Sequence, residues 1–199
     1  MQDMTRREVA SYHTLAVETK SEHRTLKKEW ETHGSWETAL RRRGKNAVET
    51  AIQTFKKLEA GGIRLVLAND PDFPEALRHI PWPPFGVYVR GAPLNPKEVC
   101  VAIVGTRRAT PQGKRFAETI AGSLGEAGLT VVSGLALGID AAAQGAVAAR
   151  GLRTIAVLAG GVNTIYPREN ERVGQQILDA GGSLVSEYPP GTPPLPHRF

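Results

Sequence analysis

The chain has 199 residues, which is long enough for one hydrophobic core and a smaller module. It carries 25 lysines and arginines against 20 acidic residues, a formal net charge of +5 that fits a nucleic-acid partner. A single cysteine, Cys100, excludes a disulfide framework and a cysteine-rich zinc site. The five histidines are scattered, no apolar segment is long enough to cross a membrane, and no signal-peptide pattern is present. We therefore expect a cytoplasmic protein with no metal and no membrane contact.

Residues 1–60 are predicted to form a small all-helical domain. This region is charged and has no glycine before Gly34. The apolar spacing and the start and stop residues predict four helices, over Arg6–Thr19, Ser21–Glu31, Trp36–Arg42 and Ala47–Ala60. A basic run at residues 41–45 is interpreted as a solvated face.

A proline-rich connector follows, from about residue 63 to residue 94. The pattern predicts a strand over Ile63–Leu67, a short helix over Glu75–Ile80 and a strand over Gly86–Arg90. We expect Asp72-Phe73-Pro74 and Trp82 to pack this segment against the main domain.

The most informative stretch begins with an apolar, β-branched run, Val99–Val104, which predicts a strand covered on both faces with Cys100 in the core. Gly105 ends the strand, and Thr110-Pro111 has the pattern of a helix N-terminus, with the helix running to about Ala127. Such a junction leaves backbone N–H groups facing a crevice and favours an anion. The cations at and just after the junction strengthen this prediction: Arg107, Arg108, Lys114 and Arg115. Neither a dinucleotide fingerprint nor a P-loop spacing is present.

Alternating strands and helices continue after Gly128. Strands are predicted over Thr130–Ser133, Thr154–Leu158 and Ser183–Ser186, with helices from Asp140 through Ala149 and from about Glu169 to Ala180. Connections of this length predict parallel pairing through right-handed crossovers. The sequence therefore predicts an α/β fold whose strand ends share one crevice, where open sheets bind ligands.

Several candidate ligand-binding residues follow these strands. They are Gly105, Thr106 and Arg107 after the first, Ser133 and Gly134 at the second, and Gly160 and Gly161 at the third. Glycines allow close approach of a ligand backbone, and hydroxyl and N–H groups add donors beside the arginines, so a polyanion suits the crevice. Other roles stay open: Ser133 could satisfy loop backbone groups, and Tyr166 could stack on a base or only pack. Asp140 is interpreted as a structural helix cap.

The order and spacing of several motifs identify a family. The motifs are Val101-Ala-Ile-Val-Gly-Thr-Arg107, Val132-Ser-Gly-Leu-Ala136 with Gly138-Ile-Asp140, Thr154-Ile-Ala-Val-Leu158, Tyr166-Pro167 and Ser186-Glu-Tyr-Pro-Pro-Gly191. Together they resemble the DNA-processing protein A family, DprA/Smf, over roughly residues 63–199. Asp70-Pro-Asp-Phe-Pro74 and Tyr88-Val-Arg-Gly91 also resemble that family, whereas the N-terminal helices match it only weakly.

The resemblance implies an extended Rossmann-like, mostly parallel domain over residues 61–199, preceded by a SAM-like or helix-hairpin-helix-like module over residues 1–60. It implies single-stranded DNA binding without catalysis or cofactor, protection of incoming DNA in natural transformation, and assistance in loading the recombinase RecA. By motif, Gly105, Thr106 and Arg107 would form the phosphate pocket. In place of the histidine usual in the family after the Gly-Ile-Asp motif, this chain has Gln144.

The chain ends at His197-Arg198-Phe199, where the family usually continues. By resemblance, the C-terminal part of the Rossmann-like domain is expected to be missing, with Arg198 and Phe199 at the pocket edge. The homodimer implied for the longer family members is therefore doubtful for this chain, and we expect DNA binding weaker than that of a longer protein.

Two other functions fit the same crevice. A nucleoside-monophosphate hydrolase of a related fold would need a glycine-rich loop and a glutamate. Gly160-Gly161 fits superficially, but Glu169 and Glu171 follow a different pattern. A small-nucleotide sensor would use the anion site without chemistry. Turnover of nucleoside monophosphates would identify the hydrolase, and competition by a mononucleotide would identify the sensor.

Overall fold

The computed structural model describes residues 2–195 and Arg198. Within this part of the chain, helices precede the first strand as predicted: α1 (Gln2–Glu18), α2 (His23–His33), α3 (Trp36–Arg41) and α4 (Ala47–Ala60). The Ser35 hydroxyl caps α3 by accepting the Thr38 N–H at 3.2 Å. The Glu8 carboxylate of α1 accepts the Trp36 N–H at 2.8 Å and so ties α1 to the start of α3.

The described strands form a six-stranded sheet in the order β1-β2-β6-β5-β4-β3. Their bounds are β1 (Ile63–Leu67), β2 (Gly86–Gly91), β3 (Cys100–Ala102), β4 (Thr130–Ser133), β5 (Thr154–Val157) and β6 (Ser183–Ser186). Strands β3 to β6 are parallel, and β2 is antiparallel to both β1 and β6. The predicted α/β fold with a mostly parallel sheet is confirmed.

The remaining described helices are α5 (Glu75–Arg78), α6 (Pro111–Glu126), α7 (Ile139–Ala148) and α8 (Glu171–Asp179), the last preceded by a 3-10 turn over Arg168–Asn170. Strands β3 to β6 follow one another in a single direction across the sheet, so right-handed crossovers place α6, α7 and α8 on one face. Small side chains let α6 and α7 pack closely: Ala117, Ala121, Ala143 and Val147 form a cluster with Val131 of β4. None of the helices in the described residues is long and apolar enough to cross a membrane.

The N-terminal helices share a hydrophobic core with the same face of the sheet. Tyr12, Leu15 and Phe55 of α1 and α4 pack in one cluster with Leu65 of β1 and Tyr88 of β2. The His13 Nδ1 and the Tyr88 hydroxyl lie 2.9 Å apart, a hydrogen bond between α1 and the sheet. The helices therefore help to fix the edge of the sheet, and a separate domain ending at residue 60 stays a prediction.

The connector covers part of the opposite face. Phe73 is fully buried and packs with Leu94, Val89, Ile155 and Val185. The expectation for Asp72-Phe73-Pro74 therefore agrees with the structure. The expectation for Trp82 is wrong, because its side chain is 69% exposed.

Strand β3 is one of the two edge strands of the described sheet, and the side chains in and around it are much more exposed than its apolar sequence predicts. Val99 is 64% exposed, Val104 is 73% exposed, and Cys100 is exposed. The prediction of a strand covered on both faces is thus wrong for the described residues, as is the placement of Cys100 in the core. The helix layer covers only one face of β3, which pairs with β4 alone.

Candidate functional site

A crevice of about 430 Å³ lies where β3 to β6 end, at the carboxyl edge of the sheet. The residues that line it come from four strand ends and the C-terminal segment: Val104, Gly105, Arg107, Gly134, Ala136, Asp140, Val157, Leu158, Ala159, Glu187, Tyr188 and Arg198. Of the strand-end residues that the sequence predicts for the site, the structure places three in the crevice lining, Gly105, Arg107 and Gly134, and four outside it, Thr106, Ser133, Gly160 and Gly161.

The loop after β3 packs tightly against the start of α7. The Thr106 carbonyl accepts the Ile139 N–H at 3.3 Å, and a side chain at Gly138 would place its Cβ 2.2 Å from that carbonyl oxygen. The Thr106 hydroxyl accepts the Arg108 N–H at 3.1 Å. These contacts fix the backbone of the loop while the Arg107 side chain lies exposed at the crevice wall.

A buried carboxylate joins two of the glycine loops. Asp140 is 6% exposed; its Oδ1 accepts the Gly105 N–H at 3.3 Å and its Oδ2 accepts the Gly134 N–H at 3.1 Å. The N-cap of α7 is Gly138, so the interpretation of Asp140 as a helix cap is wrong, although its role is structural. Two N–H groups that the sequence offered to an anion are therefore satisfied within the protein by a carboxylate, which leaves neither of them to bind a phosphate.

Buried polar groups hold the end of β4 in the same way. Ser133 is buried, and its hydroxyl donates to the Ile103 carbonyl at 2.6 Å, which agrees with the alternative role in satisfying loop backbone groups. The Gln144 Oε1 accepts the Leu135 N–H at 3.1 Å, and its Nε2 donates to the Ile155 carbonyl at 2.9 Å. Gln144 thus anchors the loop after β4 from within the core.

The glycine pair after β5 lies under the chain's own proline-rich segment. Gly160 and Gly161 are buried, and the Gly161 N–H donates to the Thr192 carbonyl at 2.9 Å. A Cβ at Gly160 would lie 2.9 Å from the same oxygen. The close approach that these glycines allow is therefore made here by the chain's own residues 189–194, and neither glycine lines the crevice.

The predicted cations divide into two groups. Arg107 and Arg198 line the crevice, whereas three others lie exposed at the start of α6 or before it, outside the crevice lining: Arg108, Lys114 and Arg115. The Arg198 guanidinium lies 4.4 Å from the Tyr188 ring centroid, in a cation–π contact, and donates to the Pro193 carbonyl at 2.8 Å.

The predicted aromatic contacts lie at the border of the site or outside the described residues. Tyr166 is 51% exposed and borders a smaller hollow beside Gly134 and Gly160. The prediction for Phe199 falls outside the described residues.

The sequence analysis missed an acidic residue in the crevice. Glu187 lines the crevice with Arg107 and Arg198, and burial raises the pKa of its carboxyl. The Ser21 hydroxyl at the start of the α2 region donates to the Glu187 carbonyl at 3.3 Å. Glu187 stands in the quoted Ser186-to-Gly191 motif, but only the folded sheet places it in the same crevice lining as the arginines. Among the described residues, no cluster of histidine, cysteine and carboxylate side chains is arranged to hold a metal ion.

Comparison with known proteins assigns this arrangement to a family. Residues 64–199 match the family model of DNA recombination-mediator protein A. The Synechocystis protein Smf is 44% identical over 136 residues, covering 66% of this chain and 34% of that protein. The Bacillus subtilis DNA processing protein DprA is 36% identical over 161 residues, covering 78% of this chain and 54% of that protein. The chain therefore spans about a third to a half of the length of these relatives.

Two solved structures share the fold. The DNA processing protein A of Streptococcus pneumoniae matches with a TM-score of 0.62 and 31% identity, over 79% of this chain and 56% of that one. The Helicobacter pylori protein, for which a single-stranded DNA binding mode is described, matches with a TM-score of 0.58 and 32% identity, over 69% of this chain and 60% of that one. The family match over residues 64–199, together with these relatives, shows that the chain belongs to the DNA recombination-mediator protein A family, DprA/Smf.

Proposed function

We propose that this chain binds single-stranded DNA with little sequence preference through the crevice at the carboxyl edge of its sheet. The observation that carries the proposal is the pair of arginines, Arg107 and Arg198, that line a crevice about 430 Å³ in volume. Phosphate contacts supply affinity without sequence information, whereas a single strand also offers its bases to the aromatic side chains nearby. The binding mode described for the H. pylori relative supports the same substrate.

The proposed biological role follows the family resemblance. The chain would protect incoming DNA and help to load RecA during natural transformation and recombination, and it would act without catalysis or cofactor. These steps are tested by nuclease protection of bound oligonucleotides and by the rate of RecA filament formation on DNA carrying this protein. Sedimentation of the chain tests homodimer formation.

The first experiment is a fluorescence-anisotropy titration of labelled oligo-dT and a matched duplex at several salt concentrations. We expect the single strand to bind more tightly, with an affinity that falls steeply as salt rises. Arg107→Ala should weaken binding to all sequences alike and reduce the salt slope by about one. The matched control is Arg64→Ala, because Arg64 is exposed on β1 and donates to the Gly91 carbonyl at the opposite edge of the sheet. Equal affinities of the two variants would refute the proposed site.

A small-nucleotide sensor is the second candidate, because a crevice of about 430 Å³ has the size of a small-molecule site. The same titration with a mononucleotide competitor separates the two functions. Displacement of oligo-dT only by a large excess of mononucleotide supports the polymer, whereas displacement at comparable concentrations favours the sensor. The hydrolase has less support, because Glu169 and Glu171 are exposed and lie outside the crevice lining.

A further inference from the structure

A second cavity, of about 440 Å³, lies between the N-terminal helices and the connector. We call it the aromatic groove and define it by six of its lining residues: His23, Trp30, Trp36, Trp82, Pro83 and Phe85. All three tryptophans of the chain line it. Nothing in the proposed function of the crevice uses these residues.

The groove combines aromatic rings that pack against one another at its base with one exposed ring, that of Trp82, at its opening. The His23 ring stacks on Phe85 with centroids 5.1 Å apart and an interplanar angle of 26°. Trp36 is 3% exposed and meets Phe85 edge to face at 5.3 Å. Trp82, by contrast, is 69% exposed and meets the His23 ring at 90°. An indole held by one edge contact, with its surface open to solvent, is available to stack on another flat ring.

The groove opens at the same edge of the sheet as the crevice. Strands β1 and β6 are parallel to each other because each is antiparallel to β2. The segment after β1, at Ala68, and the segment before β2, at Phe85, therefore lie at the carboxyl edge of the sheet, and both line the groove. The hydrogen bond from Ser21 to the Glu187 carbonyl joins the start of the α2 region to the crevice. Two or three inter-strand spacings, about 10–15 Å, separate the two sites along this edge.

The charge around the groove favours an anionic partner. Lys27 lies at its rim, and Arg24 and Lys28 are exposed on the same helix, α2. The Lys27 Nζ lies 3.8 Å from the Glu31 Oε1, but an exposed ion pair of this kind is weak, so the lysine can still bind a phosphate. A proline-rich peptide could use the same aromatic surface. The three exposed cations of α2, which outnumber the two carboxylates Glu29 and Glu31 of that helix, and the shared edge with the crevice instead favour nucleic acid.

We propose that the aromatic groove stacks a base of the same DNA strand whose phosphates occupy the crevice, with Trp82 as the stacking platform. The inference rests on the proposed function, because the crevice must first bind a single strand. A strand of a few nucleotides bridges the distance between the two sites, which agrees with the lengths that single-stranded DNA-binding domains cover. The two sites together would discriminate single strands from duplex, whose paired bases cannot reach the indole.

The test uses tryptophan emission, since every tryptophan of the chain lines the groove and emission therefore reports on it. We expect a 20-nucleotide oligo-dT to quench the emission of the full chain and Trp82→Ala to weaken the affinity for that oligonucleotide by about fivefold or more. The mononucleotide dTMP, which cannot occupy both sites at once, should bind the parent and Trp82→Ala equally through its phosphate in the crevice. Ile80→Ala is the matched control, because Ile80 is exposed on the same segment but does not line the groove.

The outcomes separate the two proposals. The inference would be overturned if oligo-dT leaves the tryptophan emission unchanged and binds Trp82→Ala and the Ile80→Ala control with equal affinity. If Arg107→Ala still weakens oligo-dT binding in that case, the proposed function stands. Quenching by a proline-rich peptide but not by oligo-dT would also overturn it. Complete absence of oligo-dT binding would refute the proposed function and this inference together.

Discussion

The carboxylate of Asp140 gives the sharpest test of how the crevice is built. It accepts one N–H from the loop after β3 and one from the loop after β4, through separate oxygens. In Asp140→Asn the amide keeps one acceptor oxygen, but its NH₂ group faces a backbone N–H that it cannot satisfy. The variant therefore loses one charge-assisted hydrogen bond and weakens the other. It also leaves the side-chain NH₂ group facing a backbone N–H, two donors with no acceptor between them.

The size of the effect follows from these contacts. A hydrogen bond to a charged group contributes about 1.5–3 kcal/mol, and the two distances here, 3.3 Å and 3.1 Å, favour the lower part of that range. Removal of a buried charge recovers part of its desolvation cost. We therefore expect Asp140→Asn to lower the free energy of unfolding by about 2 kcal/mol, equivalent to a fall of about 4–8 °C in Tm for a chain of this size.

Urea and thermal unfolding followed by circular dichroism measure this change. The control is Asp179→Asn, because Asp179 is exposed and accepts only a surface hydrogen bond from Gln175 among the contacts that the structure describes for it, at 2.8 Å. The control should stay within about 0.5 kcal/mol of the parent. If Asp140→Asn unfolds at the same midpoint as the control, the carboxylate does not hold the two loops together and this account of the crevice is refuted.

Further predictions test the charge and packing around the site. Glu187→Gln should tighten single-stranded DNA binding several-fold at low salt, because it removes a negative charge from the crevice that the arginines line. In anisotropy titrations across pH, the affinity of the parent should rise as pH falls toward the raised pKa of Glu187, whereas that of the variant should not. Identical pH profiles of parent and variant would contradict this prediction. Burial lowers the pKa of His13 to about 4, so the unfolded chain binds a proton below about pH 6.5 that the folded protein binds only near pH 4. The free energy of unfolding should therefore fall by up to about 3 kcal/mol as pH falls from about 6.5 to about 4, and His13→Gln should lose less stability over the same range. If urea unfolding shows the same loss of stability with pH for parent and variant, this mechanism is excluded. Gly138→Ala should destabilise more than Gly151→Ala, because both have positive φ but only the first would place a Cβ 2.2 Å from the Thr106 carbonyl; equal Tm values would contradict the close packing.

The crevice is not uniformly basic, because Glu187 lines it together with the arginines. The backbone carbonyl of Glu187 accepts a hydrogen bond from the Ser21 hydroxyl near the start of α2. Under the proposed path, a DNA strand would therefore pass this negative charge on the way to the aromatic groove. Stacking at Trp82 would offset that repulsion, and this balance makes the two variants informative in combination. Glu187→Gln should increase the penalty of Trp82→Ala in a double-mutant cycle if the strand takes this path, because the repulsion then no longer offsets part of the stacking free energy.

The local sequence by itself determined the secondary structure and the class of fold. Strands β1, β4 and β6 begin and end at the predicted residues, because each is a short apolar run that polar or turn-forming residues follow. The helix N-terminus at Thr110-Pro111 is also local chemistry: the Thr110 hydroxyl accepts the Gly113 N–H at 3.1 Å. The carboxyl-edge crevice was predicted from the alternation of strands and helices, and the family from the order and spacing of the motifs.

Only the tertiary structure decided which polar groups bond to each other across the chain and which apolar side chains are exposed. Asp140 meets Gly105 across 35 positions of sequence, and Ser21 meets Glu187 across 166, so no local pattern could assign either contact. The apolar run of β3 predicts burial, but burial depends on what packs beside a strand, and β3 lies at the edge of the sheet. Trp82 is open for the same reason: hydrophobicity gives a side chain its preference for the core, whereas the arrangement of neighbouring elements decides whether it is covered.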